Sequence, residues 1–373
     1  MNIVLLTSSY ALHAEDSAAA AGLFVRDFSE LLAKQGHQVR VVTQGKNSPL
    51  ETPPAVDVHA FAWSGGDKPL AQLSLQKPRD LWVTWEWFRQ SRKALLSIQK
   101  EGPVDHILAF WAVPAGWLAM KSGLPYSVWC LGSDIWTAGR SKLLSPFVIK
   151  TLQKAHRCYA DGLELAKEAG NLSGRSVQFL ASSRKLPSLE KDSLHISRTQ
   201  PRFLFLGRYA PVKGCDILLE AMAHYGTLGG TGHLQLRGGG PMEKEIRDRA
   251  QKEDLKVIVE VGGLANREEA AHEILACDVL IIPSRQESIP LVLSDALQCG
   301  KAVIVTDVGD MGTLVRAHRA GLVVPPQDVV SLAQALLDYT DRFQTGVEEL
   351  AAKFHLEHSV KHILEDLKGG DSS

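Results

Sequence analysis

The sequence lacks several features that would place it in a specialised class of proteins. It has five cysteines in 373 residues, none of them in a CxxC pair, so neither a disulfide framework nor a zinc site is indicated. Its net charge of -1 differs from the basic excess of a nucleic-acid-binding protein. No apolar run approaches the roughly 20 residues that span a bilayer, and the first residues lack the basic lead of a signal peptide. These absences predict a soluble, cytoplasmic protein without a nucleic-acid partner.

The sequence does contain a regular alternation of short β-branched runs and longer amphipathic stretches. Runs that are apolar throughout indicate strands covered on both faces, as in a parallel sheet, and their alternation with helices predicts doubly wound α/β domains. The periodicity fails over residues 184–200. We therefore predict an N-terminal Rossmann-like domain at 1–190, a second one at 200–345, and a C-terminal helix at 346–373 that returns to the N-terminal domain.

The first stretch that carries chemistry is "FLGRYAPVKG" in the second half. Gly207 and Arg208 end a predicted strand, where ligands of open α/β sheets bind, and Lys213 stands just before a helix. Two cations near a helix N-terminus predict an anion site, because free N–H groups and the helix dipole both attract negative charge. Solvated surface charge is the alternative interpretation of either residue.

The second stretch is "LQLRGGGPM". Gly238 and Gly240 allow the backbone to approach another group closely, and Pro241 suits the opening of the next helix. A tight turn explains the same glycines. The stretch lacks the GK[ST] end of a P-loop and the GxGxxG pattern, which argues against an ATPase or a dehydrogenase.

The third stretch is "SRQESIPLVLSDALQCGKAVIVTD". Pro290 fits the first turn of a helix, Glu287 stands just before that helix, and Asp295 lies about a turn and a half inside it. A carboxylate at this place can accept hydrogen bonds from sugar hydroxyls, while the free amides behind it can hold phosphate. The alternative is that Glu287 caps the helix and Asp295 faces solvent.

Taken in order, "GRYAPVKG", "GGGP", "PSRQESIPLVLSDA" and "LQCGKAVIVTDVGD" resemble the motifs of the retaining nucleotide-sugar glycosyltransferases of the GT-B fold, family 4. The resemblance is strong over residues 202–326 and looser in the first half, where "GLFVRDFSELLAKQGHQVRVVT" and "CLGSDIW" look like the family's first helix and its acceptor-side turn. It implies two Rossmann-like domains facing a central cleft. The first would bind the acceptor and the second the donor.

The resemblance also implies the reaction and the roles of residues. A sugar would pass, with retention and without a metal or cofactor, from a UDP- or GDP-sugar to a glycan, lipid-linked or small-molecule acceptor. Arg208 and Lys213 would hold the diphosphate. Glu287 would contact the donor sugar and Asp295 the ribose. The motifs imply further donor-binding residues, namely Gly207, Gly238, Gly240, Ser288, Pro290, Leu291 and Val292.

The first half departs further from the family's pattern. Leu131 occupies the place of the family's acceptor-side histidine, and Asp134 is the candidate for contact with the transferring sugar or an acceptor hydroxyl. His13 is a candidate substitute in the first loop, where Gly22 matches a family glycine. Leu131 and the shorter acid at Asp295 keep open a non-catalytic binding or regulatory subunit. A nucleotide-sugar epimerase or a phosphorylase is a second alternative.

One stretch of the first half, "KPRDLWVTWEWFRQSRKALL", has apolar residues at helical spacing with interleaved arginines and lysines. A helix lying on an anionic membrane has this pattern, which predicts peripheral membrane contact over residues 79–96. An ordinary core helix with a basic outer face has it as well, and we favour that interpretation.

Overall fold

The structure is a computed structural model that describes residues 1–13, 20–46, 51–67, 70, 73, 77–186 and 200–369. Contacts between Cα atoms divide the chain into two compact units. The first comprises residues 1–184 and 356–373, and the second comprises residues 185–355. Most of the linker predicted at 184–200 lies outside the described residues.

The first unit is built on a seven-stranded sheet of order β3-β2-β1-β4-β5-β6-β7, and every pairing in it is parallel. Its strands are β1 (Asn2–Leu6), β2 (Gln38–Gln44), β3 (Val56–Phe61), β4 (His106–Phe110), β5 (Tyr126–Cys130), β6 (Cys158–Ala160) and β7 (Gln178–Phe179). Its helices are α1 (Ala20–Lys34), α2 (Pro78–Glu101), α3 (Trp117–Ser122), α4 (Ser145–Lys154), α5 (Leu163–Ser173) and α13 (Leu356–Lys368).

Alternation along the strands of this sheet builds two separate hydrophobic cores. Val4 and Leu6 of β1 join the core that α2 to α5 cover, whereas Ile3 and Leu5 join the core that α1 and α13 cover. Because successive side chains of a strand point to opposite faces, an apolar run fills both cores at once. The helices α2 and α4 therefore lie on the same face of the sheet, opposite α1 and α13.

The second unit has a six-stranded sheet of order β10-β9-β8-β11-β12-β13, again with parallel pairings. Its strands are β8 (Arg202–Leu206), β9 (His233–Arg237), β10 (Ile258–Val261), β11 (Val279–Ile282), β12 (Ala302–Thr306) and β13 (Gly321–Val324). Its helices are α6 (Cys215–Thr227), α7 (Glu243–Ala250), α8 (Arg267–Ala276), α9 (Leu291–Gln298), α10 (Gly309–His318), α11 (Val329–Asp338) and α12 (Gln344–Lys353). The two parallel sheets with their helices confirm the predicted fold class.

Two helix boundaries differ from the sequence-based prediction. Pro241 lies in a turn, and α7 begins two residues later, at Glu243. The segment predicted as one helix at 346–373 consists of two helices, of which α12 stays with the second unit. Only α13 packs on the first sheet, where the Ser359 hydroxyl donates to the carbonyl of Ala181 at 3.1 Å.

The core-helix interpretation of α2 holds for one stripe of its apolar residues and is wrong for the other. Trp87 and Leu95 are buried, but Leu81, Trp82, Trp85 and Leu96 are 46–58% exposed. The 3.6-residue period therefore reports two apolar stripes, one facing the sheet and one facing outward. In the part of the chain that the structure describes, no helix combines the length and the apolar character that crossing a membrane requires.

Candidate functional site

The order of the second sheet brings the three predicted motifs to one edge. β9, β8, β11 and β12 are consecutive neighbours in the sheet, and all of them run parallel, so their carboxyl ends lie side by side. The loops that follow these strands carry the glycine turn, the two cations, Glu287 and the start of α10. This edge is where an open α/β sheet binds its ligand.

The central contact of the site joins Lys213 and Glu287. Lys213 ends a short 3-10 turn after β8, and Glu287 lies in the loop after β11, 74 positions later. The Lys213 Nζ donates a hydrogen bond to the Glu287 Oε2. Both side chains keep about a fifth of their surface exposed, 23% and 20%. The two residues that the sequence placed in separate motifs therefore form one charge pair that solvent still reaches.

Arg208 follows the same strand and lies beside this turn in sequence, and its side chain is exposed. In the residues that the structure describes, no carboxylate lies within ion-pair distance of its guanidinium. An exposed cation at the carboxyl end of β8 suits an anionic ligand. Its charge adds to that of Lys213 at the same edge of the sheet.

The close approach predicted for the glycine turn is an approach to the chain's own backbone. A Cβ on Gly238 would lie 1.9 Å from the Gly207 carbonyl oxygen, and a Cβ on Gly240 would lie 2.6 Å from that of Tyr209. The Tyr209 N–H also donates to the Gly239 carbonyl at 3.0 Å. Gly238 and Gly240 therefore pack the loop after β9 against the loop after β8, which is the tight-turn interpretation.

Two further glycines allow the loops that carry Lys213 and Glu287 to pack closely against neighbouring backbone. Gly214, which follows Lys213, has a φ of +67°, and a Cβ there would lie 2.0 Å from the Pro283 carbonyl oxygen. Gly309 has a φ of +53°, and a Cβ there would lie 2.1 Å from the Glu287 carbonyl oxygen. Any side chain at either position would separate the loops, so these two contacts set the spacing between Lys213 and Glu287.

A second charge pair, which we call the Arg285–Asp216 clamp, ties the same two loops together. The Arg285 guanidinium donates to both carboxylate oxygens of Asp216, at 2.9 and 2.6 Å, and to the carbonyl of Pro211. The backbone N–H of Arg285 donates to the Val212 carbonyl at 2.8 Å. Burial opposes the charge on Asp216, but the hydrogen bonds and positive charge of Arg285 outweigh it and lower the pKa of that carboxyl.

Sequence reasoning missed this clamp, although a signal was present. Asp216 stands three residues after Lys213, and Arg285 stands two residues before Glu287. Opposite charges at small offsets from two motif residues indicate that the flanking positions pair as well. The bidentate geometry makes it a well-defined link between the loops.

The start of α9 completes the site. Leu291 and Val292 are the first two helical residues, Pro290 is the N-cap with a φ of -74°, and no side chain caps this end. Glu287 therefore does not cap the helix, which excludes one of the two interpretations. The first-turn amides behind the exposed Ser288 form the positive end of the helix dipole, which favours an anion.

Asp295 is placed differently from both predictions for it. Its side chain is fully buried in α9 and has a partner within the protein. It does not face solvent, and its carboxylate is not exposed to a ligand in this structure. The reason is the burial of α9 as a whole, since every residue from Leu293 to Leu297 is buried.

Asp134 is also placed differently from its prediction as a ligand contact. It is 2% exposed, and one of its carboxylate oxygens accepts the Ala112 N–H at 2.8 Å. The other oxygen accepts the N–H groups of Gly132 and Leu131, at 3.1 and 3.3 Å. Burial raises the pKa of this carboxyl, and these N–H donors act against that rise. Asp134 therefore joins the loops after β4 and β5 and has no oxygen open to a sugar.

The other first-half candidates lie near the start of α1. His13 is half-buried in the loop after β1, and residues 14–19 beyond it lie outside the described residues. Gly22 is buried in the first turn of α1, so it belongs to the helix and not to a loop. Within the described ranges, neither residue forms a hydrogen bond or an ion pair with another predicted site residue.

One group of potential metal ligands occurs among the described residues, and it belongs to the first unit. It comprises Asp57 and His59 of β3 and Glu101 at the end of α2. The His59 Nε2 is already 2.9 Å from the Asp57 Oδ2. These residues belong to the first unit, whereas the predicted donor site belongs to the second.

The second unit is similar in sequence to known glycosyltransferases. Residues 188–342 match the family model described as glycosyl transferases group 1. An uncharacterized glycosyltransferase of Methanocaldococcus jannaschii is 31% identical over 135 residues, which are 36% of this chain and 37% of that relative. A D-inositol 3-phosphate glycosyltransferase of Jonesia denitrificans is 29% identical over 47% of this chain and 44% of its own. The chain thus spans less than half the length of these curated relatives.

Solved structures extend the likeness to nearly the whole chain. Sucrose-phosphate synthase from Thermosynechococcus elongatus has a TM-score of 0.71 at 20% identity, with 98% of each chain covered. HepE from Anabaena, solved with UDP and glucose, has a TM-score of 0.64 at 16% identity, with 99% of this chain and 100% of that chain covered. The chain therefore has the GT-B fold of two Rossmann-like domains, and its residues 188–342 match the glycosyl transferases group 1 family.

Proposed function

We propose that this protein is a retaining glycosyltransferase that moves a sugar from a nucleotide-diphosphate sugar to an acceptor without a metal ion. The observation that carries the proposal is the Lys213–Glu287 pair beside the uncapped start of α9. A cation, a carboxylate and free helix amides within adjoining loops suit a ligand that presents phosphate and sugar hydroxyls together. The match of residues 188–342 to a glycosyltransferase family supports the same ligand.

The pair also suggests how the site responds to its donor. In the structure, Lys213 and Glu287 neutralise each other. A diphosphate at the start of α9 would draw Lys213, together with Arg208, toward its own negative charge. Glu287 would then be free to accept hydrogen bonds from the hydroxyls of the donor sugar. Binding would thus exchange a charge pair within the protein for two contacts with one ligand.

In the proposed reaction, the bond between the sugar's anomeric carbon and the diphosphate oxygen breaks, and the acceptor oxygen bonds to the same face of that carbon. The acceptor proton passes to the departing diphosphate. Arg208 and Lys213 stabilise the charge that develops on this leaving group, because preorganised cations need no rearrangement as the bond breaks. In this proposal the phosphates bind at the first turn of α9, which begins with Leu291 and Val292, and beside Ser288 in the preceding loop.

The donor base and the acceptor are proposed by class only. UDP is the first nucleotide to test, because the structurally similar HepE was solved with UDP and glucose. GDP is the second. The proposed acceptor is a glycan, a lipid-linked sugar or another small molecule. In this proposal the buried Asp295 contributes to the packing of α9, and another residue of the donor site contacts the ribose.

Calorimetric titration with UDP, GDP and ADP, without added metal, tests the donor site directly. We expect one of these diphosphates to bind the wild-type protein, and Lys213→Ala and Arg208→Ala each to weaken that binding about tenfold or more. Lys252→Ala is the matched control, since Lys252 is an exposed lysine beyond α7, at the opposite end of the sheet.

The outcomes separate the competing functions. Binding that is equally strong in Lys213→Ala and in the control would contradict the proposed donor site. Diphosphate binding without transfer from the matching nucleotide sugar to any acceptor would favour a non-catalytic subunit. Isomerisation of the donor sugar without an acceptor would favour an epimerase.

A further inference from the structure

The outward face of α2 presents an unusual group of apolar side chains. Leu81 and Leu96 are 48% and 46% exposed, and Trp82 and Trp85 are 52% and 58% exposed. Single exposed leucines are ordinary on a protein surface, but two adjacent indoles with two leucines on one helix form a patch that marks an interaction surface. The opposite stripe of the same helix, which includes Trp87 and Leu95, already supplies its packing against the sheet.

The same face is strongly basic. Its exposed charged residues are five cations and one acid, namely Arg79, Arg89, Arg92, Lys93, Lys100 and Glu101. The Arg89 guanidinium lies 5.4 Å from the centre of the Trp85 ring. Over the described ranges, no carboxylate forms an ion pair with Arg92, Lys93 or Lys100. By contrast, Arg249 and Arg285 in the second unit are paired with acids.

The apolar and basic residues lie along one line of the helix. Trp82, Trp85, Arg89, Arg92 and Leu96 follow one another at spacings of three or four residues, which places them on one side of the helix. A groove of about 610 Å³ lies along this line between Trp85 and Lys100. The helix has 24 residues, so this line extends over about 36 Å.

A second group of the same composition lies on the same face of the first sheet. Leu143 is 67% exposed and Phe147, in the first turn of α4, is 40% exposed. Lys142 and Lys150 beside them are exposed as well. Because α2 and α4 pack into one core on one side of the sheet, both groups point away from that core in the same general direction.

We propose that this face of the first unit, formed by the outward sides of α2 and α4, binds the surface of a membrane that contains anionic lipids. Indole rings favour the headgroup level of a bilayer, where one part of the ring is dry and the other is hydrated. Each lysine or arginine near an anionic surface adds to the attraction, and the helix lies flat on the membrane. An acidic protein would neutralise the cations but would leave two separate apolar groups exposed, so the lipid surface fits both features better.

Sedimentation with lipid vesicles tests this surface without any assay of activity. We expect the protein to bind vesicles of equal parts phosphatidylcholine and phosphatidylglycerol, and not vesicles of phosphatidylcholine alone. The double variant Arg92→Glu/Lys93→Glu should bind the mixed vesicles at least about tenfold more weakly than wild type. The double variant Trp82→Ser/Trp85→Ser should also bind them more weakly, because it removes the apolar contact and leaves the charges unchanged.

The matched control is Lys361→Glu/Lys368→Glu, which makes the same change of charge on α13. Both lysines are exposed, and α13 covers the opposite face of the first sheet. The control should bind the mixed vesicles as the wild type does, and thermal melts should show all three variants folded, since every altered side chain is exposed. Failure of the wild type to bind, or equal loss of binding in the control and in Arg92→Glu/Lys93→Glu, would overturn the proposal.

Discussion

Asp134 in the first unit and Glu287 in the second make an instructive comparison. Each is a carboxylate in a loop that follows a parallel strand, and each belongs to a motif that resembles a glycosyltransferase site. Asp134 is buried and accepts three backbone N–H groups. Glu287 is one-fifth exposed and pairs with the side chain of Lys213.

The difference between them lies in what their oxygens contact. Backbone donors do not move away when a ligand arrives, so the lone pairs of Asp134 are committed to the fold. A lysine side chain has rotatable bonds and can turn to a phosphate, which leaves Glu287 available. A carboxylate at a strand end is therefore a ligand candidate only when its partners are able to leave. The following predictions test this distinction, from the largest expected effect to the smallest.

Glu287→Gln should lower kcat by about a hundredfold or more with the donor that calorimetry identifies, since it removes the charge that accepts hydrogen bonds from the sugar hydroxyls. Its thermal stability should change little, because the side chain is partly exposed. Steady-state kinetics together with a melting curve measure both. Glu260→Gln, at an exposed acid of β10, is the control. Wild-type kcat in Glu287→Gln would remove Glu287 from the mechanism.

Asp134→Ala should show the opposite pattern. It leaves three N–H groups of the loops after β4 and β5 without their acceptor, so it should lower the free energy of unfolding by about 3 kcal/mol. Denaturant titration measures this loss. The folded fraction should bind the nucleotide diphosphate as tightly as wild type does, because the donor site belongs to the second unit. Weaker nucleotide binding without a loss of stability would reverse the assignment of the two acids.

Gly214→Ala should lower the free energy of unfolding by roughly 2 kcal/mol, because its Cβ would lie 2.0 Å from the Pro283 carbonyl oxygen. Gly36→Ala is the matched control. Gly36 has a similar positive φ of +85°, but an added Cβ there meets nothing within 4 Å. Backbone strain is common to both variants, so the difference between their losses of stability measures the contact between the loops. Equal losses of stability would mean that this contact does not set the spacing.

The Arg285–Asp216 clamp predicts a smaller effect that depends on pH. The pKa of Asp216 is lowered in the folded protein, so its contribution to stability is present above the ordinary pKa of an aspartate, about 3.9. That contribution disappears as the pH falls through the lowered folded value. The difference in unfolding free energy between wild type and Asp216→Asn, measured from neutral pH downward, should therefore be constant above about pH 5 and shrink below pH 4. A difference that persists unchanged at lower pH would show that the clamp is not ionic.

Much of the second unit could be predicted from sequence. Its strands are short β-branched runs, its strand ends carry the motifs, and a parallel sheet brings those ends to one edge. The prediction that Arg208, Lys213 and Glu287 lie at one edge of the sheet therefore follows from local pattern and topology. The sequence also predicts close approach at Gly238 and Gly240. The group that they approach is the neighbouring loop after β8, and the sequence of the glycine turn does not reveal that partner.

The outward face of α2 shows a limit of periodicity. Trp85 and Trp87 both fit a helical apolar pattern, yet one is 58% exposed and the other is fully buried. A hydrophobic period defines the direction of a stripe and does not identify which of two stripes meets the sheet. That choice depends on how the helix lies across its strands.

By itself, the sequence determined the two parallel sheets, the order of their elements and which candidate residues follow the strand ends, since these depend on alternation within short segments. Only the tertiary structure decided which acids remain accessible. Ala112 lies 22 positions before Asp134, and Lys213 lies 74 positions before Glu287. Burial and hydrogen bonding come from such distant partners, so an acid committed to the fold and an acid open to a ligand look alike in sequence until the chain has folded.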